Sequence, residues 1–216
     1  MVKVKICGFT RTEDVKAACE FGVDMVGAIV KANVPTPRNL TIEQARDIFD
    51  AATGDVDRVV VIMPENPKAA EKMAKELEPD YIQVHSAASA SQLREIGELT
   101  ESKLIGVVQV PREGGDPTKL VAMAQEVAGA SDYLLLDTEG PSGGETGLTH
   151  NWTISREICA AVKKPVFLAG GLNPTNVGEA IEKVRPYGVD VASGVESAPG
   201  EKDPELMRGF IQAAKR

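Results

Sequence analysis

Cysteine is sparse in this chain. There are three in 216 residues, and none stand in a Cys-x-x-Cys pair, so neither a disulfide framework nor a cysteine-built zinc site is expected. Basic clusters are missing too. The formal net charge is −8, and no run of Lys or Arg offsets it locally, which argues against a nucleic-acid surface. No apolar run approaches membrane-spanning length, and the first residues lack the apolar core of a signal peptide. These absences describe a reduced, soluble, cytoplasmic protein. What remains is ordinary globular material, 43% hydrophobic and 26% charged, in a chain long enough for one large core or two small ones. An acidic protein still binds an anion where backbone N–H groups and one or two placed cations are turned toward it.

The opening residues set a pattern. Val2, Val4 and Ile6 alternate with Lys3 and Lys5, which predicts a strand with one buried face and the lysines on the other. The strand stops at Cys7-Gly8, and Thr10 with Glu13 predicts a capping box that starts a helix. Further strands are expected at 25–30, 59–63, 81–85, 104–110, 133–137, 166–169 and 189–193. Between them run amphipathic helices, several opened by a cap followed by proline (Asn66-Pro67, Asp116-Pro117, Asp203-Pro204). The count is eight β–α units with no break in composition. Strict alternation implies a parallel sheet covered by helices. An open doubly wound sheet of about six strands leaves units over, so the fold class is α/β, a (β/α)₈ barrel spanning residues 1–216 as one domain.

In such a barrel the loops after the strands gather on one rim, where enzymes of this architecture place their sites. Strand ends there carry Cys7, His85, Gln109, Asp137 and Ser193. Cys19 and Cys159 fall on helices and read as packing residues. Cys7 abuts Gly8 and a helix N-terminus, an arrangement that lowers a thiol's pKa. His85 reads equally as a half-buried strand residue. Asp137 follows three leucines, so its carboxyl is expected in an apolar setting that keeps it protonated. Gly170-Gly171 and Gly194 follow the last two strands, where barrels often bind phosphate through backbone N–H groups. Gly143 to Gly147 reads as a rim loop.

Together these residues resemble the phosphoribosylanthranilate isomerase family of tryptophan biosynthesis. The likeness is carried by Lys5-Ile6-Cys7-Gly8-Phe9-Thr10-Arg11 with Glu13-Asp14, Pro37-Arg38, Gln83-Val84-His85, Leu135-Leu136-Asp137, Gly144 to Trp152, Leu168 to Asn176, and residues 189–196 with 199–203. Three places depart from the family's pattern: Ser86 stands for glycine, Ala192 for serine, and His150-Asn151 for Phe-Asp. The resemblance implies an Amadori rearrangement of N-(5-phosphoribosyl)anthranilate to 1-(2-carboxyphenylamino)-1-deoxyribulose 5-phosphate, with neither metal nor organic cofactor. Cys7 is then the expected general base and Asp137 the general acid. Arg38, His85 and Asp190 are the expected substrate contacts, with Arg38 gripping the anthranilate carboxylate and Asp190 orienting the amine. Read without the resemblance, Arg38 is a surface charge after a Pro-Thr-Pro turn and Asp190 a satisfied strand aspartate. Gly170, Gly171, Asn173, Ser193 and Gly194 are the expected phosphate cradle.

The expected partner is a small-molecule substrate, handled by a monomer or a homodimer that touches neither nucleic acid nor membrane. Two other readings stay open. One is a neighbouring phosphate-binding barrel, either indoleglycerol-phosphate synthase or the histidine-pathway sugar isomerase, although the latter is expected to use paired aspartates. The other is a sugar-phosphate sensor without catalysis.

Overall fold

Hydrogen bonds between the first and second strands and between the first and last close the sheet into a cylinder. The computed structural model describes residues 1–86, 88–139 and 149–216. Its barrel strands are β1 (Lys3–Cys7), β2 (Met25–Val30), β3 (Asp57–Ile62), β4 (Tyr81–Val84), β5 (Lys103–Val110), β6 (Tyr133–Thr138), β7 (Val166–Leu168) and β8 (Gly188–Val191). All pair in parallel with their neighbours, and β1 pairs with both β2 and β8. The covering helices are α1 (Thr12–Glu20), α2 (Ile42–Asp50), α3 (Pro67–Leu77), α4 (Ala90–Leu99), α5 (Pro117–Ala128), α6 (Trp152–Ala161), α7 (Val177–Val184) and α8 (Pro204–Lys215).

Helix starts follow the predicted chemistry in most places. Asn66, Asp116 and Asp203 each accept N–H bonds from the first turn of a helix that begins with proline. Thr41 and Gln44 complete a reciprocal capping box for α2. The box expected from Thr10 and Glu13 does not form. The Thr10 hydroxyl donates instead to the Gly200 carbonyl, and α1 starts at Thr12 with no side-chain cap. A tertiary contact has taken the hydroxyl that local sequence assigned to the helix.

Alternation along each strand divides the core in two. Val4, Ile6, Val26, Ala28, Val60 and Leu136 face the helices and join the main apolar layer. Met25, Val59, Val61, Ile105, Leu135 and Phe167 face the barrel axis. Phe9 and Phe210 are wholly buried in the outer layer, and truncating either to alanine would cost about 3–5 kcal/mol. At the N-terminal end of the barrel Tyr81, Tyr133, Phe167 and Tyr187 pack ring against ring, with centroids 5.3 to 6.1 Å apart. This aromatic floor leaves the interior space at the opposite end. Lys5 corrects the first-strand reading: it points inward with the period of Cys7 and is 0% exposed.

The stretches after β2 and β8 are not plain loops. Asn39–Leu40 adds a two-residue strand beside β2. After β8, a 3₁₀ turn at Ser193–Val195 leads into an antiparallel hairpin of Glu196–Ala198 and Glu201–Lys202.

Candidate active site

A cavity opens at the C-terminal end of the strands, enclosing about 850 Å³ with its mouth included. Its walls bring together Cys7 from β1, Asp137 from β6, Asp190 from β8, His85 just beyond β4, and Arg38 from the segment after β2. Gly170, Gly171, Ser193 and Gly194 line the same space. Gln109, a further strand-end candidate, is exposed and lies off this cavity.

Asp137 is the penultimate residue of β6, next to a wall that includes Leu135. Burial pushes its carboxyl up to about 6, while the nearby His85 and the Thr138 N–H pull the other way. That N–H donates to Oδ1 at 2.8 Å, and His85 Nε2 stands 3.7 Å from Oδ2. A carboxyl titrating at about 6 is able to exchange a proton with a group in the cavity not far below neutral pH. The His85 ring is held by Gln83, whose Nε2 lies 3.2 Å from Nδ1. His85 is only partly buried and lines the cavity, so it faces the site from just beyond its strand.

Cys7 shares the cavity but not the electrostatics expected of it. Its strand end beside α1 was expected to lower the thiol's pKa. Burial instead pushes it up, and the negative charge of Asp190 adds to this, while Lys5 and Lys202 oppose the rise. The physical reason is direction: Cys7 points into the barrel, where desolvation outweighs any help from a helix on the outside. Its local cations come from Lys5, two residues back on the same face, and from Lys202 on the hairpin.

Arg38 is no surface charge. It is 5% exposed, and its guanidinium grips Glu196 in a bidentate pair, Nε to Oε1 at 2.8 Å and Nη2 to Oε2 at 2.6 Å. Lys202 Nζ donates to the same carboxylate at 2.7 Å and to the Ala192 carbonyl at 3.0 Å. Burial alone would raise the Glu196 carboxyl, but these cations hold it below its usual range. Gly8 makes the arrangement possible. Its φ is +74°, and a Cβ there would overlap Arg38 Cδ, so only glycine lets the turn after β1 pass beneath the arginine.

At the other side of the cavity, Gly170 and Gly171 both have positive φ, at +80° and +65°. A side chain at Gly170 would run into Thr138. Asn173 is not with them. It is off the cavity wall, and its Oδ1 accepts from Thr175 N–H and hydroxyl at 2.9 and 2.6 Å. Its backbone N–H is taken by Asn176 Oδ1. The helix that follows starts at Val177. The segment Gly143 to Gly147 lies outside the described residues.

Comparison with known proteins decides the family. A family model described as N-(5'phosphoribosyl)anthranilate (PRA) isomerase matches residues 4–213. The chain belongs to this family. An N-(5'-phosphoribosyl)anthranilate isomerase of Haloferax volcanii is 44% identical over 216 residues, covering 100% of this chain and 94% of the relative. That of Methanocella arvoryzae is 40% identical, covering 100% and 99%. Among solved structures, phosphoribosyl anthranilate isomerase from Thermotoga maritima superposes with a TM-score of 0.85 at 34% identity, covering 100% of this chain and 99% of that one. Another solved phosphoribosyl anthranilate isomerase, in complex with reduced 1-(o-carboxyphenylamino)-1-deoxyribulose 5-phosphate, gives 0.83 at 32% identity, covering 100% and 99%.

Against the family pattern, the departures are absorbed locally. Ala192 lines the cavity and gives its carbonyl to Lys202. His150 is buried, where burial pushes its pKa down to about 4, and its neutral ring bridges Thr138 Oγ1 at 3.0 Å and Ser155 Oγ at 2.7 Å. Four site residues escaped the sequence reading: Lys5, Gln83, Glu196 and Lys202. Period-two arithmetic would have found the first two, because Lys5 must share a face with Cys7 and Gln83 with His85. Nothing local marks the Arg38–Glu196–Lys202 cluster. Among the described residues, no group of three or more His, Cys, Asp and Glu side chains is placed to hold a metal ion, and no helix is long and apolar enough to cross a membrane.

Proposed function

We propose that this chain isomerises N-(5-phosphoribosyl)anthranilate to 1-(2-carboxyphenylamino)-1-deoxyribulose 5-phosphate, with Asp137 as general acid and Cys7 as general base. The observation that carries the reading is the pairing of a buried carboxyl held at about 6 with a thiol in one cavity. Asp137 protonates the furanose ring oxygen, and the C1–O bond breaks to leave a C1 iminium with the anthranilate nitrogen. Cys7 takes the proton from C2, giving an enolamine, which tautomerises to the 2-ketone. Each transfer by a positioned group contributes about 10²–10⁴-fold.

The remaining residues take up the ends of the substrate. Arg38, fixed by Glu196, offers a guanidinium to the anthranilate carboxylate, a pairing suited to its planar fork. Asp190 Oδ1 is buried without a hydrogen-bond partner among the described residues, and an unpaired acceptor is the group that a substrate N–H would satisfy. His85 adds a polar contact between these two ends. Gly170, Gly171, Ser193 and Gly194 receive the 5'-phosphate through backbone N–H groups and the serine hydroxyl. Asn173 acts in this scheme only by shaping the turn. On this reading the protein serves tryptophan biosynthesis and works in the cytoplasm.

The test is turnover of fluorescent phosphoribosylanthranilate by the purified protein, with the product identified by carbon NMR. A ketone carbon at C2 in place of the anomeric C1, without change of mass, is the expected result. Saturable binding with no product would favour the sensor reading, and no binding would reject both.

A further inference from the structure

A lysine that never reaches water is costly, and β1 holds one. Lys5 is 0% exposed inside the barrel. Its Nζ sits 2.8 Å from Asp190 Oδ2, and the Asp190 side chain is 8% exposed. The two are direct partners in the β1–β8 register, as Cys7 is of Gly27 on the other side. Desolvating both charges of such a pair typically cancels much of the attraction between them, and an apolar pair of the same volume would serve the fold as well. Its position suggests another use. Lys5 lies one inward step below Cys7 on the same strand face, so its ammonium is a fixed cation beneath the thiol, and its charge is the largest influence favouring the thiolate.

The charged and titratable groups around Cys7 come from five directions. Lys5 lies on its own strand, Asp190 on β8, Lys202 on the hairpin after β8, Arg38, paired with Glu196, on the segment after β2, and Asp137 with His85 across the cavity. Lys202 is tied to Glu196 and to the Ala192 carbonyl, so its charge is largely answered. Lys5 Nζ is paired with Asp190 Oδ2, and the electrostatic influence between the lysine and the thiol runs both ways, each favouring the other's charged form.

We propose that Lys5 is a positioning residue for Cys7, supplying the counter-charge that lets the sulfur carry negative charge inside the barrel. Asp190 then has two separate tasks on its two oxygens. Oδ2 fixes the lysine, and Oδ1 is left for substrate. The proposal rests on Cys7 being the base, and its test is built to fail separately from that reading.

The experiment is the pH dependence of Cys7 alkylation by iodoacetamide, read on the Cys7 peptide by mass spectrometry so that Cys19 and Cys159 do not contribute. It needs no substrate. Lys5→Met is expected to move the midpoint upward by about one pH unit or more, with a parallel fall of about tenfold in kcat and a much smaller change in KM. Lys5→Arg, which keeps the charge, is expected to stay near the wild-type midpoint. Because Lys5→Met leaves Asp190 alone in the barrel, the double variant Lys5→Met/Asp190→Asn provides a second chance of a folded protein. Loss of the Asp190 charge by itself lowers the midpoint, so the double variant is compared with Asp190→Asn and is expected above it. A midpoint in Lys5→Met no higher than wild type, or in the double variant no higher than in Asp190→Asn, would overturn the proposal. Loss of turnover in Cys7→Ala would not rescue it, and retained turnover there would reject the base assignment without touching the alkylation result.

Discussion

His85 Nε2 stands 3.7 Å from Asp137 Oδ2, close enough for a protonated imidazole to favour the carboxylate and far enough to leave the acid free for substrate. After burial, which raises the Asp137 pKa, His85 is the largest influence lowering it. Replacing His85 by leucine should therefore raise the Asp137 pKa further. A general acid works only while protonated, so the basic limb that it imposes on kcat/KM should move to higher pH in His85→Leu. A limb that stays in place, or moves down, would show that the two groups are not coupled.

Asp137 also has a stability signature. Its folded pKa of about 6 lies above the ordinary 3.8, so the folded state binds this proton more tightly than the unfolded chain does. That contribution is full below 3.8 and is lost as pH rises through 6. By linkage the ionised carboxyl costs about 3 kcal/mol at neutral pH. Asp137→Asn should therefore unfold at higher urea than wild type at pH 7.5 while losing its advantage at pH 4. Equal midpoints at both pH values would contradict the buried, raised carboxyl.

His150 works in the opposite sense. Its pKa falls from 6.5 to about 4 on burial, so its stabilising contribution is complete above 6.5 and drains away as pH falls toward 4, about 3 kcal/mol in all. In His150→Phe, Thr138 and Ser155 lose their shared partner, which should cost about 1–3 kcal/mol at pH 7.5. The same variant should lose less on going to pH 5 than wild type does. Urea titrations at the two pH values separate the effects, and parallel losses would show that His150 is not the acid-sensitive group.

Breaking the Arg38–Glu196–Lys202 cluster should damage both fold and binding. Glu196→Ala strands two buried cations, one of them 0% exposed at its side chain, at a cost of about 3–5 kcal/mol. Glu196→Gln keeps hydrogen bonding and should fold, with KM raised more than kcat is lowered because Arg38 loses its orientation. Steady-state kinetics of the glutamine variant decide the point. A change confined to kcat would move Glu196 from orienting Arg38 to the chemistry itself.

The residues show where sequence reading worked and where it stopped. Strand and helix order, the caps at Asn66, Asp116 and Asp203, and the gathering of Cys7, His85 and Asp137 on one rim follow from period and local chemistry, whereas only the family resemblance marks Asp190. Thr10 misled because its hydroxyl had a distant carbonyl to satisfy. Lys5 misled because a lysine alternating with valines normally faces solvent, and only closure of the barrel turns that face inward. The Arg38 cluster joins segments 158 residues apart, a pairing that no local window contains. Asn173 had the right composition for a phosphate loop, yet its side chain closes a turn instead.

The steady-state rates of Cys7→Ala and Asp137→Asn on phosphoribosylanthranilate test the two-group mechanism most directly. The account predicts that each lowers kcat by ~10²–10⁴-fold with KM within a few-fold of wild type. Either variant turning over at the wild-type rate would contradict it.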